Sequence, residues 1–248
     1  MSNATHEDID QVPAGMVWSD LWPAGFAAIR KGWSEQLRPG ISLLLDESGE
    51  EATHWLAVLA GHAVPGRGRV QCAGLCSQAD SRAYPAQVYW HNPRAQVNLR
   101  ELSAAQWLEQ VAQHWPQWSD AAWHSHCVGF ELGLHMDKPL WHLSTGCLRK
   151  LGIAAALASG ARLTLIEEPL AALDSNSIRY LCEALDALGK TLADEPQPPR
   201  WIVVAHWEPL AGVTWDEVLA PPALSTAAAE RAERMALAPK EPVQQELL

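Results

Sequence analysis

Hydrophobic and polar positions along the chain fall into alternating short and long blocks. Short apolar runs bounded by turn residues predict buried strands, at 41–45, 162–166 and 201–205. Longer segments with helical character predict helices, at 52–61, 102–115, 145–159 and 175–192. Since strands and helices alternate, we expect an α/β fold with a mostly parallel core sheet.

Turn, capping and helix-ending residues support the boundaries of these predicted elements. Pro39-Gly40 forms a turn signal just before the first strand, and Gly61 ends the first predicted helix. Ser103 is placed to cap the second helix, which Pro116 would stop. From residue 18 to 45 apolar residues recur without a clean helical period, and no internal repeat is found.

Composition favours a folded, soluble chain. The 248 residues are 48% hydrophobic and 19% charged, with a net charge of −11. No apolar stretch approaches the length of a membrane span, and the polar N-terminus is unlike a signal peptide. Five irregularly spaced cysteines suit a reducing compartment. The acidic balance argues against nucleic acid as a partner.

One contiguous block carries the strongest motif, LSTGCLRKLGIAAALASGARLTLIEEPLAALD at 143–174. It resembles the second half of an ABC-type ATPase domain. Residues 143–147 match the signature loop, usually LSGGQ, and 163–168 match the Walker B strand. Residues 170–174 match the D-loop, and 203–206 match the strand that ends in the switch histidine. The resemblance extends more faintly over 39–206.

The resemblance implies a P-loop NTPase-like mixed sheet core flanked by helices, with an N-terminal antiparallel β portion. It implies one nucleotide-binding domain over 1–220, with a helical signature subdomain at about 95–158. A flexible or partly helical tail would follow at 221–248. ATP and Mg²⁺ are the cofactors that the resemblance implies.

The same resemblance assigns roles to particular residues. Glu167 would hold Mg²⁺, Glu168 would orient or deprotonate the attacking water, and His206 would contact the γ-phosphate. Ser144 and Gly146 of the signature loop would face the nucleotide held by a second subunit. His91 stands where the family has a glutamine, and Cys147 replaces the signature glutamine.

The phosphate-binding loop departs from the family. Alignment back from the first helix places it at 46–53, where the expected pattern is G-x-x-G-x-G-K-[ST]. Only Gly49 and Thr53 match, and Thr53 would be a second Mg²⁺ ligand. Asp46 and Glu51 replace glycines, and Ala52 replaces the lysine. The strand-turn-helix frame is kept although its phosphate chemistry is lost.

The negative charge of this turn disfavours the binding of a polyanion such as ATP. Asp46, Glu47, Glu50 and Glu51 are all acidic, and each like-charge contact at about 4 Å costs about 1 kcal/mol in water and about 4 kcal/mol at an effective dielectric near 20. We therefore expect very weak binding of Mg-ATP by this chain alone, so its own hydrolysis of ATP is left open. Without a bound phosphate, Glu168 and His206 would equally serve to close polar networks beneath the former site.

Other chemistry-bearing residues suggest packing or contact roles. The histidines between the motifs have no zinc-site spacing, at positions 114, 124, 126 and 135. Six tryptophans lie between the glutamine-loop region and the signature, at positions 90, 107, 115, 118, 123 and 141. The family docks a membrane subunit on this stretch. We expect most of the six in the core and a few at that contact.

Three functions follow from the motifs. The first is a degenerate transporter subunit, peripheral at the cytoplasmic face, which docks on a membrane permease and lends its signature loop to an intact ATPase subunit. The second is an active ATP-hydrolysing homodimer with an unconventional loop, and the third is a catalytically dead scaffold or regulatory protein of the same fold. The block at 206–210 also resembles, weakly, the ATPase subunits of haem-export and cytochrome c maturation systems.

Overall fold

A computed structural model describes residues 15–26, 32–46, 49, 51–94, 101–194 and 198–224. The strands are β1 Met16–Pro23, β2 Trp33–Leu37, β3 Gly40–Leu45, β4 Pro65–Cys72, β5 Leu75–Cys76, β6 Val88–His91, β7 Leu163–Glu167, β8 Trp201–His206 and β9 Glu217–Leu219. The helices are α1 Ala52–Leu59, α2 Ala83–Ala86, α3 Ala104–His114, α4 Asp120–Gly129, α5 Thr145–Ala158 and α6 Ser175–Asp194. Short 3₁₀ turns cover Gly133–His135 and Leu140–His142.

The central sheet has the strand order β6-β7-β8-β3-β9, and every neighbouring pair is parallel. Leu45 lies opposite His206, and Ile166 lies opposite Val204. Carboxyl ends of β3, β7 and β8 therefore meet at one edge, the place where sheets of this kind bind ligands.

A second sheet is antiparallel, with the order β2-β1-β4-β5. The expected fold class, with its antiparallel N-terminal portion, is confirmed. β1 itself could not be recognised from its pattern because its pairing shifts register between Trp18 and Leu21. Such a bulge interrupts the alternation of inward and outward residues.

Two hydrophobic cores lie on opposite faces of the central sheet. Trp201, Val203 and Ala205 of β8 face the core shared with the antiparallel sheet and α1. Ile202 and Val204 of the same strand face the core formed with α4, α5 and α6. Burial on both faces explains why β8 reads as a continuous apolar run in the sequence.

The most buried tryptophans lie in the first core, away from the signature region. Trp33 contacts Trp18 and Trp55, with ring centroids 4.6 and 5.1 Å apart, and Trp22 lies 5.9 Å from Trp55. Of the six tryptophans singled out in the sequence, only Trp123 is buried. Four are half-buried, and Trp141 is 54% exposed.

The predicted helices are present with their caps. Ser103 caps α3 in a reciprocal capping box with Gln106, and α1 ends just before Gly61, whose φ is +71°. Helix α4 was missed because its apolar residues form no clear stripe. No helix in the described ranges is long and apolar enough to span a membrane. The domain limits stay a prediction, and most of the expected tail, from 225 onward, lies outside these ranges.

Candidate functional site

A cavity of about 310 Å³ lies at the edge where β3, β7 and β8 end. It brings together five of the predicted site residues, Gly49, Thr53, Glu167, Glu168 and His206. The fold places them there because each follows or ends a parallel strand, or begins the helix after one. The structure therefore brings together these residues singled out in the sequence, and the role of each stays a prediction.

The loop between β3 and α1 is organised around Asp46. Its carboxylate accepts backbone N–H groups from Gly49 at 3.0 Å, Glu51 at 3.0 Å and Ala52 at 2.8 Å. Amides at the start of a helix after a strand form the anion-binding position of such folds. Here the chain's own carboxylate occupies these donors.

Glu51 directs one carboxylate oxygen to the C-terminal side of the described chain. Its Oε2 accepts the backbone N–H of Leu224 at 2.7 Å, and Glu51 does not line the cavity. The side chain of Ala52 is buried and provides no cation. Glu47 and Glu50, which the charge argument also used, lie outside the described residues.

Arg94 is the residue that sequence reasoning missed. Its Nη1 donates to Thr53 Oγ1 at 2.9 Å and to Glu167 Oε1, and its Nη2 donates to Glu168 Oε1 at 2.6 Å. Thr53 Oγ1 also donates to Glu167. In the sequence, the only sign of this contact was a basic residue three positions after His91. The two adjacent acids that it could neutralise are Glu167 and Glu168.

Glu167 is almost completely buried, with 1% of its side chain exposed. Burial raises its pKa, and the contacts with Thr53 and Arg94 oppose that shift. Its second oxygen, Oε2, has no hydrogen-bond partner among the described residues. A buried carboxylate of this kind depends on the few donors that reach it.

Glu168 and His206 complete the cavity edge. Glu168 has a positive φ of 46° and is held by its backbone, whose N–H donates to Ala205 and whose carbonyl accepts from Arg149. His206 is buried, and its Nδ1 lies 2.8 Å from the carbonyl oxygen of Glu208. Both side chains thus contact the chain's own residues, consistent with the polar-network alternative.

The signature loop does not line this cavity. Ser144 is exposed and caps α5 by accepting the N–H of Cys147 at 3.2 Å. A Cβ added at Gly146 would lie 2.5 Å from the carbonyl oxygen of Ala172 in the D-loop segment. Glycine is therefore required for the close contact between these two motifs.

His91 lies in a second groove of about 590 Å³, beside α5, which shares Arg94 with the first cavity. Its ring packs against Gly152, where an added Cβ would lie 2.5 Å from the ring. Burial, and then the charge of Arg149, lowers the pKa of His91 to about 4. Three of the six singled-out tryptophans, Trp90, Trp107 and Trp141, line the same groove.

Comparison with known proteins agrees with this architecture. The chain is 31% identical over 166 residues to the molybdenum import ATP-binding protein ModC of Pseudomonas fluorescens, covering 60% of this chain and 43% of that protein. It is 30% identical over 150 residues to the taurine import ATP-binding protein TauB of Pseudomonas savastanoi, covering 57% and 53% respectively. The chain thus spans about half the length of these curated relatives. No protein-family model matches it.

A solved structure from Pyrococcus furiosus, assigned as an ABC transporter ATP-binding protein, superposes with a TM-score of 0.67 at 15% identity. The match covers 84% of this chain and 97% of that one. This chain therefore has the fold of an ABC-type ATPase domain. Over part of its length, its sequence is similar to the import ATP-binding proteins ModC and TauB.

Proposed function

We propose that this chain is a degenerate ATP-binding-cassette subunit of a membrane transporter, which lends its signature loop to an intact ATPase subunit. The proposal rests on the contrast between the phosphate-binding loop at 46–53 and the signature loop at 143–147. Side chains of the chain itself, Asp46 and Arg94, engage the groups that would hold a nucleotide. Ser144 at the head of α5 is exposed.

Binding of Mg-ATP in cis is disfavoured on three grounds. The loop amides already bond to a carboxylate, so a phosphate would have to displace a covalently tethered anion. Ala52 supplies no charge to the phosphates. The Arg94 guanidinium bonds to Glu167 and Glu168, the carboxylates assigned to Mg²⁺ and to the attacking water. The residues present do not fit a magnesium nucleotide.

The second part of the proposal is a membrane partner. The groove beside α5 is lined by half-buried and exposed aromatic rings, and Trp141 is 54% exposed. Large amphipathic rings in a concave surface suit a protein contact. In this proposal a permease subunit docks there, and the chain sits at the cytoplasmic face of the membrane. The permease would determine the transported substrate.

The test uses the complex isolated from its native membrane with a tag on this chain. We expect a second ATPase subunit with a lysine-bearing phosphate loop and a multi-span permease in that complex. Ser144→Ala is expected to lower the ATPase rate of the complex at least about tenfold, or about 1.4 kcal/mol.

Ser119→Ala is the matched control. Ser119 is likewise an exposed helix cap, and its side chain accepts the N–H of Ala122 at the same 3.2 Å. Both variants lose a cap worth about 1 kcal/mol, so only a signature-loop role separates them. ATP hydrolysis by the purified chain alone, abolished by Glu168→Gln, would overturn the proposal in favour of the active homodimer. A complex without a second ATPase subunit would favour the scaffold.

A further inference from the structure

Arg94 joins three oxygen-bearing side chains that come from distant parts of the chain. Its two Nη atoms contact the Thr53 hydroxyl at the start of α1 and the carboxylates of Glu167 and Glu168 at the end of β7. Arg94 itself follows β6, so one guanidinium connects the ends of β6 and β7 with the start of α1. Its side chain is 51% exposed, whereas that of Glu167 is 1% exposed.

The oxygens that Arg94 contacts are a donor set suited to a hard divalent cation. One hydroxyl and two carboxylates, all oxygen, are what Mg²⁺ and Mn²⁺ prefer. The planar guanidinium reaches both carboxylates at once through separate N–H groups, which a lysine ammonium at the same distance could not do as well. It also supplies positive charge to a carboxylate that is buried and otherwise poorly compensated.

The amides that would bind a phosphate are also occupied by a side chain of this protein. The carboxylate of Asp46 accepts the N–H groups of Gly49, Glu51 and Ala52, as a phosphate oxygen would. A tethered anion and a tethered cation therefore occupy neighbouring positions in one cavity. Side chains of the chain itself bond to the loop amides and to both carboxylates, although Glu167 Oε2 has no partner among the described residues.

We propose that Arg94 is a built-in counter-ion that takes the place of a divalent cation at this site and makes its structure independent of metal and nucleotide. The inference shares with the proposed function the view that this site does not bind Mg-ATP in cis. It does not depend on any second subunit. A chain of this kind can hold its carboxylates and its signature helix in position without a ligand.

Removal of the guanidinium is expected to create the cation site that it now fills. The probe is Mn²⁺ alone, titrated into the purified full chain and followed by electron paramagnetic resonance of the free ion. We expect Arg94→Ala to bind one Mn²⁺ at least about tenfold more tightly than the wild type. Arg94→Ala combined with Glu167→Gln should lose that gain.

Arg149→Ala is the matched control. Arg149 contacts the same Glu168, but through the backbone carbonyl at 3.1 Å, so its removal takes away one positive charge and leaves the carboxylates paired with Arg94. The Arg149→Ala variant should not bind Mn²⁺ more tightly than the wild type. Arg94→Gln, which keeps N–H donors without charge, carries the test if Arg94→Ala does not show the native tryptophan fluorescence.

A second readout concerns the wild type. Neither EDTA nor millimolar Mg-ATP should change its melting temperature, because the site is already filled. Saturable Mn²⁺ binding by the wild type equal to that of the variants would overturn the inference, as would folded Arg94 variants that gain none. Those failures leave the signature-loop proposal standing, whereas loss of the Ser144→Ala effect would leave the Mn²⁺ result unaffected.

Discussion

At the scale of single residues, the candidate site differs from an ordinary phosphate site by a few side chains whose charges face inward. Asp46 places a carboxylate where the aligned motif has glycine, and its oxygens bond to the loop amides. Arg94 brings a cation to the two acids that end β7. Each change would be unfavourable alone, since the first leaves the acids uncompensated and the second leaves the amides without an acceptor. Together they pair the loop amides with a carboxylate and the two acids with a guanidinium.

His91 provides a prediction at this scale. Its pKa is near 4 in the folded chain and near 6.5 when unfolded, so the unfolded chain binds more protons between those values. The free energy of unfolding should therefore fall as the pH is lowered from 7 to 5, by up to about 2 kcal/mol from this residue. His91→Gln should reduce that loss in urea denaturation measured at both pH values.

His124→Gln serves as the control, because His124 is exposed on α4. The His124→Gln variant measures the effect of replacing a surface histidine by glutamine. Part of the dependence should survive in His91→Gln, since burial also lowers the pKa of His126 to about 4. Equal pH dependence in the wild type and His91→Gln would show that His91 titrates alike in both states.

At the scale of elements, α5 connects the signature loop with the D-loop segment. Arg149 of α5 donates to the carbonyl of Glu168, and Lys150 pairs with Asp174 at 2.6 Å. The hydrogen bond from Lys150, before any other cause, holds the pKa of Asp174 well below its usual range. Two adjacent side chains of the signature helix therefore position it against the residue that follows β7 and against the D-loop segment.

Gly146 tests this contact between elements. In Gly146→Ala the new Cβ would lie 2.5 Å from the carbonyl oxygen of Ala172, so one backbone segment has to move. We expect a loss of about 1–3 kcal/mol in the free energy of unfolding, as for other overpacked sites. Gly133→Ala is the control, because a Cβ there meets nothing within 4 Å. Equal stability of the two variants would argue against a rigid contact.

At the scale of the whole molecule, the tryptophans include a buried group in the first core and an exposed group at the surface. Trp18, Trp22, Trp33 and Trp55 join the antiparallel sheet to α1 and lie almost fully buried. Trp141 and Trp207 are more than half exposed. Burial of large rings gives the small antiparallel sheet a firm attachment to the central layer.

Trp55→Ala and Trp141→Ala should separate these groups. Loss of the fully buried Trp55 ring should lower the free energy of unfolding by about 3–5 kcal/mol. Loss of Trp141 should change it by less than about 0.5 kcal/mol. Chemical denaturation of both variants measures the difference, and a large loss in Trp141→Ala would mean that this ring is part of the core after all.

The sequence by itself determined the alternation of strands and helices, the cap at Ser103, and the motif residues that end or follow the buried strands. These features are local, because periodicity, capping and turn chemistry depend on residues a few positions apart. It also determined that Ala52 stands in place of a lysine. The direction of the Glu51 carboxylate and the contacts of Asp46 depend on the loop conformation, which residue types alone do not specify.

Only the tertiary structure decided what fills the site. Arg94 meets Thr53 across 41 positions and Glu167 across 73, and Glu51 meets Leu224 across 173. The burial of Trp18 and Trp33 likewise depends on a sheet whose bulged strand hides its own period. Such pairings come from packing separate elements together. A sequence can therefore show that a phosphate loop has lost its lysine, whereas the fold shows which charges have replaced the ligand.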